Sequence, residues 1–168
     1  FALMMVTTHV MPYLEHTGYS RSTASVVAMM IPVLSMVGRL GGGWVSDYLS
    51  HRLLFLLLIV GQAAGLALFS YANLPFLLVP FLVVYGISYG GIVVLRPAAL
   101  GSYFGNRHIG GLLGLCLGIT QFGSIIGPLL AGWIFDTTRN YSPAWLVSGV
   151  LLVLGIPLVA FALRKPAK

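Results

Sequence analysis

The sequence predicts an all-α, polytopic membrane protein with six transmembrane helices, and three observations carry that prediction. Of its 168 residues, 58% are hydrophobic and 7% are charged, whereas a soluble domain carries about 25% charged residues. Apolar runs recur along the whole chain, most of them near the roughly 20 residues that a helix needs to cross a bilayer. The runs lack alternation of period two and are too long for strands. The lipid bilayer is therefore the expected surroundings of the chain.

The elements follow in order. The first apolar run, Phe1–Leu14, ends at Glu15. It is too short to span the hydrocarbon core and lacks the basic flank of a signal peptide. It reads as a helix cut in the middle, so the chain is expected to be a piece of a longer protein. The second helix is expected from about Ser22 to Asp47, with a kink at Pro32, and the third over about Leu53–Tyr71. The stretch Ala72–Pro75 (ANLP) breaks the chain, and the fourth helix runs from there to about Leu100. A polar loop, Tyr103–His108, precedes the fifth helix, Ile109 to about Phe135. A second loop, Asp136–Pro143, precedes the sixth, which ends near Leu163. Isolated Gly and Pro weaken soluble helices but are tolerated in membrane ones.

The formal charge of +6 does not point to nucleic acid, because the basic residues stand singly between apolar runs with no basic face. Membrane topology explains them better. Arg52, Arg107, Arg164, Lys165 and Lys168 fall on one side. Arg21 and Arg139 fall on the other, each with an acid nearby (Glu15, Asp136). The side richer in Lys and Arg is expected to be cytoplasmic, which puts the C-terminus inside. Cys116 is the single cysteine, so no Cys/His ligand set for a metal exists. The glycine-rich GRLGGGW lacks the Gly-Lys-Ser/Thr of a phosphate loop, and no nucleophile–His–acid set is visible. No enzymatic activity and no cofactor are expected. Glycines four apart (Gly61/Gly65, Gly86/Gly90, Gly110/Gly114/Gly118, Gly123/Gly127) predict close helix packing, with sliding faces as the functional alternative.

Arg39 is the first candidate functional residue. It lies eight residues before Asp47, hence roughly 12 Å deeper in the bilayer at 1.5 Å per residue. A guanidinium there costs at least about 2.5 kcal/mol. Pro32, Ser35, Arg39, Gly42, Gly43 and Ser46 share its stripe. That small, polar stripe is expected to face protein or a water-filled cavity. Two readings remain for Arg39, substrate contact and a structural ion pair.

Gly43–Arg52 (GWVSDYLSHR) resembles the signature loop G-x-L-a-D-R-x-G-R-R of the major facilitator superfamily. Gly43, Asp47 and Arg52 match; Tyr48, Ser50 and His51 replace Arg, Gly and Arg. Gly123–Gly132 (GSIIGPLLAG) resembles the G-x-x-x-G-P-x-x-G-G motif, with Ala131-Gly132 at its end in place of Gly-Gly. With FGNRHIGGLLG and GPLLAGWIFDTTRNYSPAW, these stretches look like the C-terminal half of monocarboxylate or oxalate/formate-type facilitators. The resemblance covers essentially the whole chain. It implies that residues 1–168 form helices 7 to 12 of a twelve-helix fold, the N-terminal six-helix half being absent. It also implies that Arg39, in the G-R-x-x-x-G of helix 8, contacts the substrate carboxylate, a task that suits the planar guanidinium fork. The oxalate-type pattern carries a Lys on the helix that here holds Thr120 and Gln121; this sequence has none.

The remaining candidates surround that anchor. Tyr85, Tyr89 and Arg96 recur at spacings of four and seven on one helical face. Arg96 is read as a cytoplasmic-gate partner of Asp47, with a second carboxylate anchor as the alternative. Arg52 completes the gate. His9 and Tyr13, one turn apart, are expected to bond a ligand; for His9 the rival is a bond to a neighbouring helix. Thr120 and Gln121 complete the substrate-binding set. The expected function is secondary transport of a small organic anion, a mono- or dicarboxylate, by alternating access in the cell (inner) membrane. The alternatives are efflux of apolar compounds by the same fold and a non-transporting membrane sensor or assembly subunit.

Overall fold

The computed structural model describes residues 1–105 and 109–163. They form α1 (Ala2–His16), α2 (Arg21–Ser46), α3 (His51–Ser70), a 3₁₀ turn (Pro75–Leu77), α4 (Leu78–Phe104), α5 (Ile109–Thr138) and α6 (Ser142–Ala162). No strand occurs among the described residues. Five of the helices, α2 to α6, are long and apolar enough to cross a membrane. Arg107, Arg164, Lys165 and Lys168, on which the expected orientation partly rests, lie outside the described residues.

The helix starts follow from local chemistry. The Ser20 hydroxyl accepts from the Thr23 amide at 3.2 Å and the Ser50 hydroxyl from the Leu53 amide at 3.4 Å. Each satisfies one of the orphan donors of a helix N-terminus. The ends fall later than expected at three places. α1 passes Glu15 and reaches His16, because one carboxylate at the end of an apolar run does not break a helix. α4 passes Leu100 and stops at Gly105, whose φ of +74° favours glycine. α5 passes Phe135 to Thr138. The Thr137 and Thr138 hydroxyls bond back to Ile134, and the positive φ of Arg139 ends the helix.

α2 and α4 run parallel and pack most closely; α3 packs antiparallel between α4 and α6; α1 lies between α2 and α5. The α2–α4 seam is built on glycine. A Cβ on Gly42 would meet the Gly91 Cα at 2.8 Å, and one on Gly38 or Gly90 would strike the backbone of Ile87 or Ser35. α5 is the outlier. Only Gly127, Ala131 and Ile134 on it are buried, all in the half that meets α1. The core concentrates at the Glu15 end of the bundle. There Phe69 stacks on Phe81 with centroids 4.2 Å apart, and Tyr13 meets Phe69 edge-on at 4.9 Å and Trp145 at 5.5 Å.

Candidate functional site

The helices bring four of the expected residues together. Tyr89 and Arg96 of α4 and Thr120 and Gln121 of α5 line one partly open cavity of about 350 Å³, together with Phe1 at the start of α1 and Phe55 and Gln62 of α3. The Thr120 hydroxyl donates to the Cys116 carbonyl at 2.7 Å, and Ser124 donates to the Thr120 carbonyl at 3.1 Å. These back-bonds leave each hydroxyl's lone pairs available. Gln62 is 7% exposed and is the sole polar side chain between Leu53 and Phe69. Sequence reasoning passed over it, although an amide alone in so apolar a run was a readable signal.

Arg96 departs from its expected place. It lines this cavity with Tyr89 rather than pairing with Asp47. Among the described residues the ion pair formed is Arg21–Glu15, at 3.9 Å and solvent-exposed. Arg52 forms no ion pair with Asp47 either. It lines an open space with Pro157, Ala160 and Phe161 near the end of α6, where a cation is favoured by the negative end of the helix dipole. Asp47 itself is exposed just beyond α2. A three-residue gate is thus not assembled within this chain.

Tyr85 is separated from Tyr89 and Arg96 despite the shared spacing. It is fully buried, with its Cβ at the place where α3 carries Gly65; the missing side chain of Gly65 makes room for the tyrosine. Its hydroxyl has no partner among the described residues. Tyr13 is buried too, and its hydroxyl donates to the Phe69 carbonyl at 2.9 Å and to that of Ser70 at 3.1 Å. These carbonyls end α3; that of Phe69 also accepts from the Ala72 amide at 3.1 Å and that of Ser70 from the Ser142 hydroxyl at 2.8 Å. His9 bonds the Pro128 carbonyl of α5 through Nε2 at 3.0 Å. The bond to a neighbouring helix is therefore the arrangement seen for His9. Neither His9 nor Tyr13 lines the polar cavity.

Arg39 stands outside the cavity, exposed on α2. The stripe expected to face protein is split. Ser35 is buried and Gly42 packs on Gly91, while Pro32 and Arg39 are exposed. The offset of the α2–α4 seam, where Gly43 faces Val94, sets Arg96 about six residues, roughly 9 Å, nearer the Asp47 end than Arg39. Neither guanidinium has an acidic partner among the described residues.

Residues 1–168 match the family model described as Major Facilitator Superfamily. The chain is 30% identical over 158 residues to monocarboxylate transporter 12 of Xenopus laevis, covering 92% of this chain and 34% of that protein. It is 28% identical over 149 residues to monocarboxylate transporter 13 of Rattus norvegicus (88% and 35%) and 25% identical over 170 residues to monocarboxylate transporter 12-B of Danio rerio (95% and 36%). The chain spans about a third of the length of these curated relatives. It belongs to the major facilitator superfamily and is an integral membrane protein.

Proposed function

We propose that this member of the major facilitator superfamily forms the C-terminal six-helix half of a secondary transporter for a small organic anion. The anion is a mono- or dicarboxylate, held between this bundle and an N-terminal half. The observation that carries the reading is the pair of acid-free guanidiniums, Arg39 and Arg96, on parallel helices inside the apolar part of the chain. Intramembrane cations are costly and are kept where they pair or line a pathway. Arg39 is too deep for an uncovered lipid face, so its side of α2 faces water, substrate or the other half. Its fork suits a carboxylate, and it is assigned as the anchor. Thr120 and Gln121 are assigned to the same substrate path as neutral hydrogen-bonding groups, while Tyr89 and Gln62 lie with Arg96 in the cavity outside which Arg39 stands. The relatives named monocarboxylate transporters support the same substrate class.

Alternating access then rocks the two halves about this level. Asp47, beyond the end of α2, is assigned to a gate whose cationic partner comes from the N-terminal half. The chain's C-terminus is assigned to the cytoplasmic side of the cell membrane.

The test is counterflow into proteoliposomes by the full-length transporter, with lactate, pyruvate, formate, oxalate, malonate and succinate as the panel. Uptake of one of these acids that Arg39→Gln abolishes, with normal membrane insertion, is the expected result. Uptake that survives Arg39→Gln removes the anchor assignment. Absence of flux for every acid in well-folded protein favours efflux of apolar compounds or a non-transporting role.

A further inference from the structure

Arg96 lines two cavities, not one. Next to the polar cavity lies a second of about 190 Å³, and Arg96 and Phe55 line both. Among the described residues its other walls are apolar: Ala99, Leu100 and Phe104 of α4, Cys116 of α5, Val159 and Ala162 of α6, and Leu163. One guanidinium therefore stands at the junction of a hydroxyl- and amide-lined space and an apolar one.

We infer that Arg96 and its two cavities form a binding site, separate from Arg39, for an amphipathic monocarboxylate whose apolar end is about the size of a phenyl ring. The guanidinium has no acid beside it among the described residues. A carboxylate would supply the missing counter-charge through charge-assisted hydrogen bonds, with the Tyr89 hydroxyl and Gln62 amide on the same side. The apolar cavity suits the rest of the ligand. The apolar space is a partly open groove whose volume exceeds the roughly 150 Å³ that admits benzene in an enclosed cavity, and a ligand site of this type combines apolar walls with a few placed polar groups. A short acid such as acetate leaves the apolar cavity empty. An uncharged aryl compound leaves Arg96 without a partner. The site selects for both features at once.

Cys116 reports on occupancy, because its thiol lines the apolar cavity and it is the one cysteine in this chain. The experiment is the rate of N-ethylmaleimide labelling at Cys116 in the full-length transporter reconstituted in phosphatidylcholine vesicles, with any cysteines outside this chain replaced by serine. Phenylacetate is expected to slow labelling at least fivefold, and acetate or phenylacetamide less than twofold. Arg96→Gln and the cavity-filling Ala99→Leu should each remove protection, while Arg39→Gln retains it. Ala99 is buried, so Phe104→Ala at the exposed rim serves as a second variant. It widens the cavity and should let naphthylacetate protect better than phenylacetate. Equal protection by acetate, equal protection by phenylacetamide, or no protection by phenylacetate overturns the inference. Protection without counterflow of any acid would sustain this site and end the transport reading. Counterflow abolished by Arg39→Gln, without phenylacetate protection, would do the reverse.

Discussion

Two parts of this molecule are built from the same residue at the same spacing and pack in opposite ways. Along the α2–α4 seam, Gly38, Gly42, Gly86 and Gly90 leave no room for a methyl group. Along the first half of α5, Gly110, Gly114 and Gly118 have nothing within 4 Å of where a methyl would sit. The comparison separates what spacing encodes from what it does not. Small residues four apart make one flat face on a helix; they do not say which helix, if any, fills it. In the seam, two such faces meet and the backbones come together. On α5 the face has no counterpart among the described residues.

The comparison can be tested by substitution, and the effects should fall off in a definite order. Gly90→Val in the seam places two methyl groups into the Ser35 backbone and is expected to cost about 3 kcal/mol or more, the upper range for an overpacked interior. Thermal unfolding in detergent should show this as a large fall in midpoint; an unchanged midpoint would mean that the seam is not tight. Tyr13→Phe removes one hydroxyl proton shared between two carbonyls at the end of α3 and should cost about 1 kcal/mol by the same measurement. Gly114→Ala on α5 meets nothing and replaces a poor helix former with a good one. It should be neutral or stabilise by up to about 1 kcal/mol. A loss comparable with that of Gly90→Val would show that the α5 face is occupied in the whole protein.

The smallest effect is that of alkaline pH on the Glu15 end. Burial raises the Tyr19 hydroxyl above the usual tyrosine value; burial and then the nearby Asp136 carboxylate do the same for Tyr141. A raised folded value means that the folded state holds the proton more tightly. Stability from these groups is therefore complete below about pH 10, the unfolded value, and is lost as pH climbs through the higher folded value. The melting midpoint should stay level from neutrality to about pH 10 and then decline, with a smaller decline in Tyr19→Phe.

The helix count and order were legible in the sequence because apolar length and polar breaks are local signals. Observed starts such as Arg21 and His51 lie within two residues of those read from the chain. The site was only partly legible. Tyr89, Arg96, Thr120 and Gln121 do line one cavity, although Gln121 is exposed and the other three are partly buried. Tyr85 does not join them: its direction depends on Gly65 of another helix, and no period within α4 carries that information. Charge alone pairs Arg96 with Asp47 or with a substrate carboxylate, whereas its neighbours in the bundle follow from the register of the α2–α4 seam, and register is a property of two helices together. Gln62 was visible as a lone amide, but a single polar residue has no periodicity to flag it.

The same seam has an electrical consequence. With no slack between α2 and α4, Arg39 and Arg96 keep a fixed offset and travel as one body in any rocking motion. A charge carried across the full membrane potential is worth about 2.3 kcal/mol per 100 mV. Two cations locked together would couple to voltage twice as steeply as either alone, and a bound carboxylate would cancel one of them. The empty and loaded forms of such a carrier would then differ in how strongly the membrane potential biases their return.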